Sequence, residues 1–412
     1  MSRVVIIGGG VIGLCSAYYL AQSGWKVTVV DQGSMEDSCS YGNAGMIVPS
    51  YFTPLAGPGV IRKSLPWLLR KDSPVSLKPE EVKDWKWMFR FFLHANKRHA
   101  RYSRIPLRDL SLYSKAHFLT LCNDRDFQVE QKGVMMLSAT SSGYKKECQL
   151  AKQAEQLGLE VDCLSTAAAQ DLQGGMAMDI QGAVHYRCDA HVDPRSFMKG
   201  LIHALEGMGV GLVRNAGLKE MHTSGKSVKS ILLTSGHYLT ADAFVLSAGS
   251  WSGQLAKLLG LSLPLMPGRG YSFMEAQKPV LRIPVLLSES KVAITPMGDA
   301  TRIAGGMELG AMGLPLQEQR VQGMIQSLRS YFPEWNVSMP ALDQMWSGYR
   351  PCSPDGLPYI GYSKRSDNLV LATGHGMMGL SMGPGTGALV ASLLNKQECP
   401  VDITRFSPNR FA

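Results

Sequence analysis

Four consecutive apolar residues, Val4-Val5-Ile6-Ile7, are followed by a glycine-rich run, Gly8 to Gly13. A second apolar run, Val27-Thr28-Val29-Val30, ends on Asp31. Uninterrupted β-branched runs of this length predict buried parallel strands. Between them Leu14 to Ser23 has helical character and Gly24 stops it. Further along, helical patterns cover Ala116 to Leu121, Lys145 to Leu157, and a stretch opened by Asp193-Pro194-Arg195 that runs to Gly207. Strand patterns cover 133–137, 210–213, 217–220, 228–234 and 243–247, the last passing through Ala248-Gly249-Ser250-Trp251-Ser252 into a helix. A β-rich stretch opens at Pro267 and continues through 285–287, 292–294 and 302–306. A helix over Gln317 to Tyr331, a strand over 369–372 and a helix from Gly385 to Leu394 complete the chain. The alternation predicts an α/β protein, and 412 residues are enough for about two domains.

The opening βαβ pattern carries chemistry. Gly8, Gly10 and Gly13 have the G-x-G-x-x-G spacing, and the acid at the end of the second strand lies about 20 residues on. The first glycine permits a tight turn, the second admits a pyrophosphate, and the third lets helix and strand pack closely. Helix N–H groups at Val11 and Ile12 face the phosphates, and Asp31, with Gln32 beside it, suits ribose hydroxyls. A carboxylate there repels a 2′-phosphate, which disfavours NADP; the motif alone does not choose FAD over NAD. The small-residue run from Ser38 to Gly45 would expose backbone N–H groups to the same ligand, although a plain loop has the same composition. Three prolines between Pro49 and Pro58 forbid a regular helix there, and Tyr51 and Phe52 suit either a pocket wall or the core.

The charge changes the picture only locally. Between Val60 and Arg104 there are twelve lysines and arginines against four acids, which accounts for most of the net +9. Three of the seven tryptophans lie there too. Pro79-Glu80-Glu81 reads as a helix start, leading through Trp85, Trp87, Phe89, Phe91 and Phe92 to an end at Lys97-Arg98-His99. Aromatics mixed with cations suit an anionic membrane interface; a substrate-domain helix with its aromatics in the core fits equally. No nucleic-acid reader motif accompanies the charge, so nucleic-acid binding is not expected. Eight scattered cysteines form no C-x-x-C pair, so no metal site or disulfide framework is indicated. No run of about 18 apolar residues is apparent, and the first strand begins too early to follow a signal peptide. A cytoplasmic protein is expected, in contact with the inner face of the membrane if the basic segment docks there.

The Gly8/Gly10/Gly13 motif with Asp31, Asn43-Ala44-Gly45-Met46, Ala248 to Ser252, the Gly348-Tyr349-Arg350-Pro351 turn and Gly374-His375-Gly376…Gly379 occur in this order. Together they resemble the FAD-dependent D-amino acid oxidase superfamily, most closely its bacterial D-amino acid dehydrogenase branch, with glycine and sarcosine oxidases as cousins. The resemblance implies a Rossmann-type FAD-binding domain of the glutathione-reductase kind, collected from 1–58, 150–220, 238–265 and 342–412. It implies a mixed-sheet α+β substrate domain from 59–149 and 266–341, containing the basic aromatic segment 60–104. Residues implied to hold FAD are Gly8, Gly10, Val11, Ile12, Gly13, Asp31 and Gln32. Ser40 and Asn43, Ala44, Gly45, Met46 and Ile47 would run beside the pyrophosphate and ribityl chain. Leu218, Ala248, Gly249 and Trp251 would cover the adenosine side, and Gly348 the flavin. Gly374, His375, Gly376, Met378, Gly379 and Leu380 would surround the pyrimidine edge. Cys352 does not fall where sarcosine oxidases attach their flavin, so non-covalent FAD is expected.

Arg350 is implied to clamp the substrate carboxylate through two parallel hydrogen bonds, holding the α-carbon over flavin N5. Tyr271 is a second candidate for a substrate contact, although a core tyrosine fits its surroundings as well. His375 is read as a packing or flavin-side residue, not a base, because hydride transfer needs only a neutral amine. The implied reaction is oxidation of a D-amino acid or a cyclic imino acid of the D-proline or hydroxyproline type. Electrons would pass to a quinone, another carrier or oxygen. The alternatives are a glycine or N-methyl-amino-acid oxidase making hydrogen peroxide, a catalytically idle flavoprotein scaffold, and an NAD dehydrogenase.

Overall fold

Backbone pairing in the computed structural model gathers the strands into four sheets, two of them large. The structure describes residues 1–60, 75–77, 84–122, 127–276, 281–310 and 312–411. The first large sheet runs, in spatial order, Gly211–Val213, Lys26–Val30, Arg3–Ile7, Ala243–Leu246, Leu369–Thr373 and Tyr359–Tyr362. All neighbours are parallel except the last pair. Both faces are covered, which is why Ile6, Val29, Val245 and Val370 are fully buried and the strands read as unbroken apolar runs.

One face is covered by the helices Val11–Gln22, Pro194–Gly207 and Gly379–Leu394, with Lys97–Cys122 beyond them. The helix Gly379–Leu394 starts six residues earlier than the sequence pattern suggests and contains Pro384. Just past the proline, the Gly385 N–H donates to Ser114 Oγ at 3.0 Å, which ties this turn to the neighbouring helix Lys97–Cys122. Its glycines set the packing distance. A Cβ on Gly385 would lie 2.8 Å from the Ser114 backbone, and one on Gly387 would lie 2.5 Å from Cys15 C. The stretch Gly376–Leu394 is long and apolar enough to cross a membrane, a length the sequence reading did not register, and 72% of its apolar window is buried inside the protein.

The second large sheet has nine strands. Its path is Val161–Leu164, Gly182–Tyr186, Val134–Ser138, Val285–Leu287, Ala293–Met297, Ala300–Leu309, Met266–Glu275 and Trp346–Cys352, with Val75–Leu77 beside Met307 to Leu309. The helix Glu318–Tyr331 covers it through Val321 and Leu328. Three strands expected with the cofactor domain, at 161–164, 182–186 and 346–352, pair in this sheet. The expected turn at Gly348-Tyr349-Arg350-Pro351 is the middle of its edge strand. Local glycine and proline suggested a turn, but the partner Met266–Glu275 supplies a full antiparallel ladder that overrides them.

The aromatic segment also differs from its sequence pattern. Its expected start at Pro79-Glu80-Glu81 lies outside the described residues. The helix Trp85–His94 is capped by Asp84, whose side chain accepts from the Trp87 N–H. At Lys97, the expected end, a second helix begins and continues to Cys122. Two small contacts join the large sheets. Met46–Ile47, Ala190–Val192 and Val129–Glu130 form a three-stranded ribbon, and Cys352 makes a single β-bridge to His375. A separate antiparallel sheet of three strands spans 218–240.

Candidate functional site

At the end of Arg3–Ile7 the chain turns through Gly8 at φ +112°, and the helix starts at Val11. A Cβ on Gly8 would lie 2.6 Å from Ser247 O, and one on Gly13 would lie 1.8 Å from Gly8 O. Those two glycines are therefore demanded by packing. Gly10 differs: a Cβ there meets only Ser40 Oγ, at 3.7 Å, so its bareness leaves open space beside the helix N-terminus. Ser40 Oγ accepts the Val11 N–H at 3.1 Å and keeps its own proton for another acceptor. Asp31 accepts from Gly9 N at 2.6 Å and Gly33 N at 2.7 Å, which fixes the carboxylate at the sheet's edge. The chain before Leu218 runs alongside, with Ala216 N donating to Asp31 O. Ala248 packs against Gly8, and Gly249 O accepts from Thr373 Oγ1. One wall of the cradle thus comes from four separate stretches.

The loop from Ser40 to Ile47 forms the next wall. Asn43 Oδ1 accepts the Gly45 N–H at 2.9 Å, and Gly45 takes φ +79°. A buried cation secures this loop from the other sheet. Arg302 Nη1 donates to Tyr41 O at 2.7 Å and Asn43 O at 2.8 Å, and burial lowers its pKa to about 10. Sequence reasoning passed over Arg302; the available signal was a lone cation in the apolar run Ile303-Ala304 and its neighbours.

Across from the cradle lies the edge strand Trp346–Cys352. Its period of two puts Trp346, Gly348, Arg350 and Cys352 on one face. The Trp346 ring covers Gly42 and Gly348; a Cβ at either would fall about 2 Å from it (2.0 and 2.2 Å). The Arg350 guanidinium lies flat over Gly270, where a Cβ would be 2.3 Å from Nη2. Arg350 donates to Gly306 O and touches Met307 Sδ at 3.9 Å. It has no carboxylate partner among the described residues. Surrounding protein pushes its pKa down, opposed by Cys352 and Tyr51.

Next to Tyr51 and Cys352, the two groups whose charges act on Arg350, lies a small cavity of about 30 Å³. Tyr51, Leu55, Cys352, His375 and Met377 are among its walls, and no Asp, Glu, Lys or Arg lines it. Tyr51 therefore faces the pocket, while Phe52 is buried against Ala151 and Tyr186. His375 is buried, with Nε2 3.0 Å from Thr386 Oγ1 and Nδ1 lacking a partner. Burial lowers its pKa to about 3, so it is neutral. Gly376 and Met378 of the short helical turn before Gly379–Leu394 also line the cavity. Tyr271 is fully buried in the core, and its hydroxyl donates to Glu308, which also takes Arg320. Its ring packs under Gly306, the residue whose carbonyl takes Arg350. Leu380 is buried behind the loop, whereas Trp251 is half-buried near Tyr349 at 6.0 Å.

The model of a family described as FAD dependent oxidoreductase matches residues 3–393. A D-amino acid dehydrogenase of Bradyrhizobium diazoefficiens is 33% identical over all of this chain and 99% of its own length. One from Agrobacterium fabrum is 30% identical over the full length of both. Among solved structures, glycine oxidase from Geobacillus kaustophilus superposes over the whole of both chains with a TM-score of 0.78 at 22% identity.

Proposed function

The chain belongs to the FAD-dependent oxidoreductase family and is an FAD-dependent amino acid dehydrogenase or oxidase; from this we propose that its substrate is a D-amino acid or cyclic imino acid with an uncharged side chain. The residues fit the cofactor. Gly10 leaves the cradle open, while the buried Ser38 Oγ, Ser250 Oγ and His375 Nδ1 have no hydrogen-bond partner among the described residues. Orphaned polar atoms grouped beside the motif suit a bound polar group. Cys352 is buried and its thiol pKa is pushed up to about 12, so it is a poor nucleophile. We infer that FAD is held without a covalent bond; acid precipitation should release all of the yellow colour.

Bound FAD supplies the acceptor for the hydride that leaves the substrate α-carbon. The chain supplies positioning. Arg350 is a guanidinium with one carbonyl partner and no anion among the described residues, so a substrate carboxylate would complete its hydrogen bonding and its charge. This cation, without an anionic partner among the described residues and next to two walls of the apolar cavity, Tyr51 and Cys352, is the observation that carries the proposal. Tyr51 stands next to it and closes one side. No charged side chain lines the cavity among the described residues, so a charged substrate side chain entering it would be left unpaired. His375, being neutral and buried, acts as a hydrogen-bonding wall and not as a proton carrier. The amine must arrive neutral, its proton going to solvent. The imine product then hydrolyses to a 2-oxo acid, or stays cyclic for a proline-type substrate. The test is anaerobic bleaching of the flavin against D-alanine, D-proline, D-aspartate, D-lysine, glycine, sarcosine and L-proline. Bleaching by D-alanine and D-proline, and little by charged D-amino acids, is expected. Bleaching by glycine and sarcosine alone, with hydrogen peroxide formed in step with reoxidation once air is admitted, would favour the oxidase reading instead.

A further inference from the structure

The helix Trp85–His94 has two apolar stripes, and only one is used inside the protein. Trp87 and Phe91 are buried and stacked with centroids 5.1 Å apart, against Met266, Met307 and Cys352. Trp87 Nε1 donates to Cys352 O at 2.9 Å. On the opposite side, Trp85, Phe89, Phe92 and Leu93 are 69%, 59%, 51% and 58% exposed. Their spacing of i, i+4, i+7 and i+8 makes one continuous stripe. On the next helix, Tyr102 and Ile105 are also more than half exposed. Lone exposed apolar residues are ordinary, but six large ones on adjoining helices are not.

Charge narrows what could cover this face. Lys86, Lys97, Arg98 and Arg101 are exposed around the stripe, and Arg98 and Arg405 flank the Tyr102 ring. Asp84 is the only acid between residues 84 and 105. A second copy of the chain meeting this face by two-fold symmetry would set these cations against one another. Exposed aromatic rings bordered by lysine and arginine match the depth profile of a bilayer surface, rings at the headgroup level and cations at the phosphates. We propose that this face docks on an anionic lipid bilayer, with the helix Trp85–His94 lying in the interface plane. The buried stripe of the same helix packs on Cys352, Leu55 and Met377, which line the same cavity as Tyr51. The active cavity would then sit about one helix diameter, roughly 10 Å, from the lipid.

The test is flotation of the holoenzyme with vesicles of phosphatidylcholine alone and of equal parts phosphatidylcholine and phosphatidylglycerol. Co-flotation only with the anionic vesicles, reversed by salt, is expected. Each of Lys97→Gln, Arg98→Gln and Arg101→Gln should weaken vesicle binding by about fivefold. Phe89→Glu with Phe92→Glu should abolish it while flavin content and dye-linked turnover in solution stay unchanged. Trp85 emission should shift to the blue on vesicles, and Trp85→Phe should remove that shift. Absence of wild-type binding to anionic vesicles, or binding of the double glutamate variant at wild-type strength, would overturn the proposal. So would a wild-type dimer that Phe89→Glu converts to a monomer, or salt-sensitive capture by an acidic protein with no binding to lipid.

Discussion

Replacing Arg350 by methionine removes the guanidinium while keeping most of the stem's volume over Gly270. In the free enzyme the head group donates to Gly306 O and has no anionic partner among the described residues. A bound carboxylate would accept two charge-assisted hydrogen bonds, each contributing about 1.5–3 kcal/mol. Losing both should cost about 3–4 kcal/mol of transition-state stabilisation, allowing for water that enters the vacated space. That is roughly a hundred- to a thousandfold in kcat/KM. Because ground state and transition state share the carboxylate, most of the loss should fall in KM. Arg350→Lys keeps the charge but not the paired geometry and should lose roughly tenfold. Steady-state kinetics with the best substrate of the bleaching panel measures these values. Thermal melts give an independent reading. Removing a part-buried cation without a counter-ion should raise the melting temperature of the substrate-free holoenzyme, by an amount on the order of 1–2 kcal/mol in stability. Benzoate, a carboxylate that cannot be oxidised, should stabilise the wild type and not the methionine variant. An unchanged KM together with an equal benzoate response in both proteins would refute the role assigned to Arg350.

Three further outcomes are expected. Gly10→Ala should fold and lose FAD, since its Cβ meets only Ser40 Oγ within the protein; Gly13→Ala, with Cβ 1.8 Å from Gly8 O, should lose the fold as well. Circular dichroism and flavin content after gel filtration separate the two. Arg302→Leu should weaken FAD retention by freeing the loop at Tyr41 and Asn43, with about 2–4 kcal/mol lost from two charged hydrogen bonds; apoprotein titration with FAD would read it, and unaltered affinity would remove Arg302 from the cradle. His375 has a folded pKa lowered to about 3 against 6.5 unfolded, so below pH 6.5 the unfolded chain takes up a proton that the folded one refuses. Its contribution to stability is therefore complete above 6.5 and is lost as pH falls towards 3; urea midpoints of the wild type and His375→Phe should converge in slope above that window and diverge within it.

Much of the opening βαβ geometry was legible in the chain. Gly13 and Asp31 act through neighbours in one βαβ unit, so spacing alone carries much of their geometry, whereas Gly8 is also pressed against Ser247 and Ala248 far along the chain. Buried strands, capping at Asp193 and the stop at Gly24 are local in the same sense. The aromatic segment was legible only as a composition, since periodicity cannot say which of two apolar stripes meets the core. Trp87 and Phe91 turn inward because Cys352, more than 250 positions away, offers a carbonyl and an apolar seat.

Other features belong to the tertiary structure alone. Gly348 to Pro351 looks like a turn by residue type and is a strand because Met266–Glu275 pairs with it. Arg302 looks like an oddity in a strand until two carbonyls from the loop at 41–43 are seen above it. Tyr271 was ambiguous by sequence; Glu308 across the strand takes its hydroxyl. Arg350 could be marked as a cation, but that it has no anion among the described residues depends on every side chain surrounding it. Local spacing encodes what one stretch of backbone can do by itself, whereas a charge left without a counter-ion is a property of contacts between segments hundreds of residues apart.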